Sequence, residues 1–206
     1  MSLVSVSAQT IQQSSMQESL HKLPLANSEL EYNQLSSSFS LIAKTEINNW
    51  LPYYYAGLCK SLAALTIKTK NADVLCNEAD FFIKKADSIM PNNSEVEVLK
   101  SLNFSARLNV NPTVRALKYN KQINKANELA LKLDVRNPRA YLQKAQAVFY
   151  TPEKFGGGAL KALPLYELAL EQFTQTKPKT SMMPSWGKEL TGKMIKECKA
   201  QKHKKK

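Results

Sequence analysis

Apolar and small side chains return along this chain every three or four residues, the spacing that lines one face of an α-helix. Leu35, Phe39, Leu41, Ile42 and Ala43 follow it near the start, and Leu190, Met194 and Ile195 near the end. The pattern predicts helices over about residues 28–44, 50–69, 74–90, 94–109, 113–134, 138–149, 159–175 and 185–200, with a weaker one over 9–22. Punctuation agrees with these limits. Ser28 with Glu31, and Ser94 with Glu97, have the spacing of a capping box, in which a serine side chain and a glutamate three residues on satisfy each other's backbone N–H groups. Asn111-Pro112, Asn137-Pro138 and Thr151-Pro152 each join a capping side chain to a proline suited to the first helical position. Pro164 falls inside the seventh segment, which is expected to kink or to start later.

The helices come in pairs that repeat. A small residue stands in the first helix of each pair at Gly57, Ser101 and Ala145, 44 residues apart, and one turn earlier stands Tyr53, Glu97 or Tyr141. In the second helices Ala79 and Ala86 are seven apart, and the spacing returns at Ile123 and Ala130 and at Ala162 and Ala169. Seven residues is two helical turns, so each pair of positions lies on one face, where a small side chain lets a neighbouring helix approach. This arrangement resembles the tetratricopeptide repeat, although the family period is about 34 residues and the chain inserts extra length between its paired helices. Taken whole, the chain also resembles small tetratricopeptide-like proteins of Bacteroidetes-type bacteria. That likeness rests on Trp50 to Tyr55, Ala86 to Asn93, Asn137 to Tyr141, Tyr150 to Gly158 and Pro184 to Gly187, and spans about residues 30–190. It implies an all-α fold, a right-handed solenoid of about three helix pairs with flanking capping helices, in an exported protein. The expected division is a flexible leader over 1–26, one domain over 27–200 and a lysine-rich tail over 201–206. Val6-Ser7-Ala8 before Gln9 has the small residues of a signal-peptidase site, so the leader reads as the remnant of a cleaved signal and the protein as periplasmic or otherwise exported. An ordinary flexible N-terminus in a cytoplasmic protein is the alternative.

Composition narrows the chemistry. The 206 residues contain 6 glycines, too few for a Gly-rich nucleotide fold, and no apolar run long enough to span a membrane. The net charge of +12 is uneven: residues 101–150 hold 9 basic and 2 acidic side chains, and Lys193 to Lys206 hold seven lysines. Arg107, Arg115, Lys118, Lys121, Arg136 and Arg139 are candidates for a continuous basic patch on nucleic acid or anionic lipid. A solvated C-terminus with weak anionic contact through its lysines is the plainer reading, and nucleic acid is the less favoured partner. The histidines are His21 and His203, in the leader and the tail, which leaves no imidazole for catalysis or metal binding in the helical core. Asp73, Glu78, Asp80 and Asp87, with Lys84, read as a solvated ion-pair face rather than a two-carboxylate site. Cys59, Cys76 and Cys198 form no C-x-x-C pair; buried free thiols are favoured over a Cys59–Cys76 bridge.

What remains is a non-enzymatic scaffold without metal or cofactor, binding a protein or peptide in a concave groove. If the first helices of each pair line that groove, as in the family the chain resembles, its candidates are Tyr54, Asn103, Arg107, Gln143 and Gln146. Consecutive tyrosines cannot all face inward, so Tyr54 or Tyr55 is expected to point outward or into the groove. Gly156, Gly157 and Gly158 form a loop that either exposes N–H groups to an anion or meets a tight geometric demand. A carboxylate-based enzyme is the remote alternative.

Overall fold

The structure, a computed structural model, describes residues 14–66 and 71–204, and these are helices, turns and loops without a strand. The described residues divide into two compact units, with the boundary between Pro91 and Asn92. The Val6-Ser7-Ala8 motif lies outside the described residues, as does the 67–69 end expected for the second predicted helix.

The first unit contains α1 (14–22), a 3₁₀ turn (Leu23–Leu25), α2 (Glu29–Thr45), α3 (Trp50–Thr66) and α4 (Ala72–Ile89). The capping box of α2 forms as its sequence predicts: the Glu31 N–H donates to Ser28 Oγ at 3.3 Å, and Glu31 Oε2 accepts from the Ser28 and Asn27 N–H groups at 3.0 Å. The Asn27 N–H, then the Ser28 hydroxyl, holds the Glu31 carboxyl below its ordinary range. α3 packs against both α2 and α4 and is the apolar centre of the unit. Ser36 Oγ donates across to the Ala56 carbonyl at 3.1 Å, and Phe39 stacks on Tyr55 at 5.2 Å between ring centroids. A Cβ placed on Gly57 would meet Ile83 Cγ1 at 3.3 Å and the Ala79 carbonyl oxygen at 3.4 Å. Gly57 therefore marks the close approach of α3 to α4, opposite the small residue that the repeat pairs with it.

The second unit contains α5 (Ser94–Val110), α6 (Pro112–Leu133), α7 (Pro138–Tyr150), a 3₁₀ turn (Glu153–Phe155), α8 (Ala159–Gln175) and α9 (Lys188–Lys204). α5 packs on α6 and α7, α6 on α7, α7 on α8 and α8 on α9. Asn111 and Asn137 cap α6 and α7 with Pro112 and Pro138 in the first turn, as their dipeptides predict. Two expected caps differ. The N-cap of α5 is Asn93, whose side chain accepts from the Glu95 N–H at 2.9 Å; Ser94 is already helical, and its hydroxyl donates to the Ala130 carbonyl at 2.8 Å. Thr151-Pro152 opens only a 3₁₀ turn, and the Thr151 hydroxyl turns back to the Ala147 carbonyl at 2.8 Å. α8 runs on through Pro164, and α9 starts after Trp186 and Gly187 rather than at 185, Gly187 having a φ of 106° that favours glycine. Ser101, Ala145, Ile123, Ala130, Ala162 and Ala169 are all buried, so the repeat's small positions do lie at helix contacts. Ala145, Ala162 and Ala169 share a core with Leu142, Tyr166, Met194 and Ile195, and Ala130 packs with Val98 and Ala140.

Candidate functional site

α2 carries two faces. Tyr32, Leu35, Phe39, Ile42 and Ala43 enter the core, whereas Ser36, Ser37, Ser40, Leu41 and Lys44, spaced by three and four, form an adjoining stripe. On α4, Glu78, Phe81 and Phe82 form a corresponding stripe beside the core face of Leu75, Cys76, Ala79 and Ile83. The two stripes and Lys60 of α3 bound a groove of about 420 Å³. The serines are short, which leaves room; Leu41 and Phe81 are 63% and 55% exposed although apolar, and Phe81 meets Phe82 edge to face at 5.3 Å. Lys60 is the single charge on α3, and its Nζ lies 2.5 Å from Glu78 Oε2 and 2.7 Å from Asn33 Oδ1. Those partners hold the ammonium at the groove, with Lys44 as a second cation in the wall. A second cavity of about 390 Å³, between α1 and α2, shares Leu41 and contains the Glu18–Lys22 pair at 2.7 Å.

Neither cavity is lined by the expected groove residues. Tyr54 and Tyr55 are both core, at 0% and 2% exposure, because Trp50, Phe39 and their own edge-to-face contact enclose both rings; Tyr53 is the half-buried one, donating to the Ala43 carbonyl at 3.2 Å. Asn103 is fully buried, and Gln143 is buried with its amide donating to Gln146 Oε1 at 3.1 Å. Arg107 is half-buried, with its carbonyl accepting from Arg115 Nη1 at 3.0 Å.

The glycine loop is a tight joint rather than an anion cradle. The N–H groups of Gly156, Gly157 and Gly158 donate to the carbonyls of Glu153, Pro152 and Val148 at 2.9, 3.3 and 2.9 Å. Gly156 and Gly158 have φ of 85° and 94°, and a Cβ on Gly157 would lie 2.1 Å from the Thr151 carbonyl oxygen. Arg139 leaves the proposed basic patch, being 8% exposed: its Nε and Nη2 donate to Glu95 Oε2 and Oε1 at 2.8 and 2.7 Å, and its guanidinium lies over the Phe173 and Trp186 rings. Asn137 Nδ2 adds bonds to Glu95 Oε1 at 2.8 Å and Ser94 Oγ at 2.9 Å. All three cysteines are free and buried. Among the described residues no three His, Cys, Asp or Glu side chains gather as metal ligands, and no helix is long and apolar enough to cross a membrane.

No protein-family model matches the chain, and no curated protein does. Among solved structures, the HusA haemophore from Porphyromonas gingivalis matches it with a TM-score of 0.83 at 34% sequence identity, over 92% of this chain and 93% of that one. The chain belongs to the HusA family. HusA is named as a carrier and not as an enzyme, and it comes from a Bacteroidetes bacterium, the group to which the sequence motifs point. The tetratricopeptide family is not among the matches.

Proposed function

We propose that this chain is an exported carrier of a porphyrin-class ligand, haem being the example in the HusA haemophore, and that the groove between α2 and α4 takes it up. The observation that carries the proposal is the pairing of exposed apolar groups with cations in one recess. Leu41, Phe81 and Phe82 offer a surface to a flat apolar ring, Lys44 offers a partner to its carboxylates, and Lys60 can offer a second by exchanging its Glu78 partner. The lining includes no His, Cys, Met or Tyr, so these residues would hold a porphyrin by its faces and carboxylates, not by an axial bond to iron. The scaffold fits the same reading: a right-handed, tetratricopeptide-like succession of helix pairs, supported by the 44-residue spacing of small residues, presents such stripes on rigid helices.

Titration of haem and of metal-free protoporphyrin, followed by the Soret band, tests the proposal. Both should bind saturably, and Phe81→Ala with Leu41→Ala should weaken both by about ten- to a hundredfold, from the apolar contact removed. Lys44→Glu with Lys60→Glu should weaken them further. Absence of saturable binding, or binding untouched by all four substitutions in a folded protein, overturns the proposal.

A further inference from the structure

The second unit ends in an exposed apolar tip that the groove does not use. A single residue, Asn111, joins α5 to α6, so the two run antiparallel; α7 packs on both and runs parallel to α5. The α5–α6 turn and the α7–α8 connection therefore lie at the same end of the unit. At that end Leu117 is 91% exposed, Val114 76%, Tyr150 72% and Phe155 71%. These are protruding side chains, which suits burial in a soft apolar phase.

Charge is ordered behind the tip. Val114, Leu117, Lys118, Lys121 and Lys125 share one face of α6, so the exposed lysines follow Leu117 over the next two turns, about 2–12 Å along the axis. In the connection, Lys154 lies 5.1 Å from the Phe155 ring centroid, and Lys161 opens α8. Residues 107–121 contain no acid, and residues 150–161 contain only Glu153. α9 adds to the same end. It runs back along α8, with Lys199 Nζ 3.1 Å from Glu167 Oε1, and so carries Lys202 toward the start of α8.

We infer that this end docks on an anionic lipid surface, with Val114, Leu117 and Phe155 entering the interface and the lysines of α6, the connection and α9 at headgroup level. Apolar burial combined with attraction to anionic lipid is how amphipathic surfaces hold to bilayers. The inference concerns different residues from the porphyrin groove, and its test uses no porphyrin.

Vesicle flotation of the full chain tests it, with phosphatidylcholine alone and with about 30% phosphatidylglycerol, the anionic headgroup supplying the attraction. The chain should float with the anionic vesicles and not with the neutral ones, less so as salt rises. Leu117→Asp with Phe155→Asp should weaken binding at least about tenfold while leaving the circular dichroism and melting curve unchanged, since both side chains are exposed. Lys118→Glu with Lys121→Glu should weaken it and flatten the salt dependence. If the aspartate pair disturbs folding, the serine pair at the same positions gives the same reading. No flotation with anionic vesicles overturns the inference, as does flotation insensitive to the tip substitutions, which is charge adhesion alone. A single-stranded oligonucleotide that binds more tightly than the vesicles and displaces the chain from them overturns it in favour of nucleic acid.

Discussion

Replacing Glu95 by alanine strands the Arg139 guanidinium inside the second unit. Both side chains are 10% exposed, and the carboxylate accepts two bonds from Arg139 and one from Asn137, so almost no solvent is at hand to replace it. Removing one partner of such a buried pair costs about 3–5 kcal/mol, because the other charge remains desolvated. For a chain of this size that is a fall of roughly 10 °C or more in melting temperature. Glu95→Gln keeps the shape but loses the charge, and the expected cost is about 1.5–3 kcal/mol, the worth of hydrogen bonds to a charged group. Glu95→Leu with Arg139→Met removes both charges and should recover most of the stability. Urea denaturation followed by Trp186 fluorescence in a Trp50→Phe background is the assay, since the Trp186 ring lies 5.9 Å from the guanidinium carbon and reports on this unit. A loss below about 1 kcal/mol for Glu95→Ala would refute the reasoning, since it is what an exposed pair gives.

Two further measurements bear on the glycines and the thiols. Gly192→Ala, in α9 with open space where the Cβ would go, should stabilise the protein by about 1 kcal/mol, the helix-propensity difference. Gly157→Ala forces a Cβ to 2.1 Å from the Thr151 carbonyl oxygen and should lower the denaturation midpoint markedly; equal midpoints for the two variants would show that the loop relaxes freely. Burial lifts the Cys59 thiol and the Tyr166 phenol above their ordinary ranges, and burial followed by the Glu197 charge lifts the Cys198 thiol. The folded chain thus keeps protons that the unfolded chain releases above about pH 8.5, where free thiols ionise. Their stabilising contribution is complete below that pH and is lost as pH rises toward the folded values. Stability should fall on the alkaline side, and a thiol-specific disulfide reagent should label no cysteine at neutral pH until denaturant is added; rapid labelling of the native chain counts against this packing.

Helix positions were legible because apolar period and capping chemistry act over a few residues, and Asn111-Pro112 and Asn137-Pro138 show both. The close contact of α3 with α4 was legible too, since Gly57 and Ala79 must both be small for backbones to approach. The binding surface was less so. Placing it on the first helices selects Tyr54 and Asn103, which tertiary packing buries, while the candidate groove is lined by the flanking helix α2, the second helix α4 and Lys60 alone of the first helix α3. A usable signal existed in apolar residues that fall off the core stripe: Leu41 on α2, Phe81 on α4, and Val114 and Leu117 on α6. Arg139 was misplaced because its charge was counted without its partner. That partner, Glu95, stands 44 residues earlier, the same offset that relates Ser101 to Ala145. Opposite charges one period apart were thus a readable mark of two neighbouring first helices.

The same offset bears on how such a chain can lengthen. Copying residues 94–137 in tandem would place the duplicate's own glutamate beside Glu95, with no arginine between them until the final copy. Two buried carboxylates would then face each other at the new junction, so growth by simple duplication is penalised unless a charge reversal accompanies it. A variant lengthened in this way is expected to fold only if a basic residue replaces the copied glutamate.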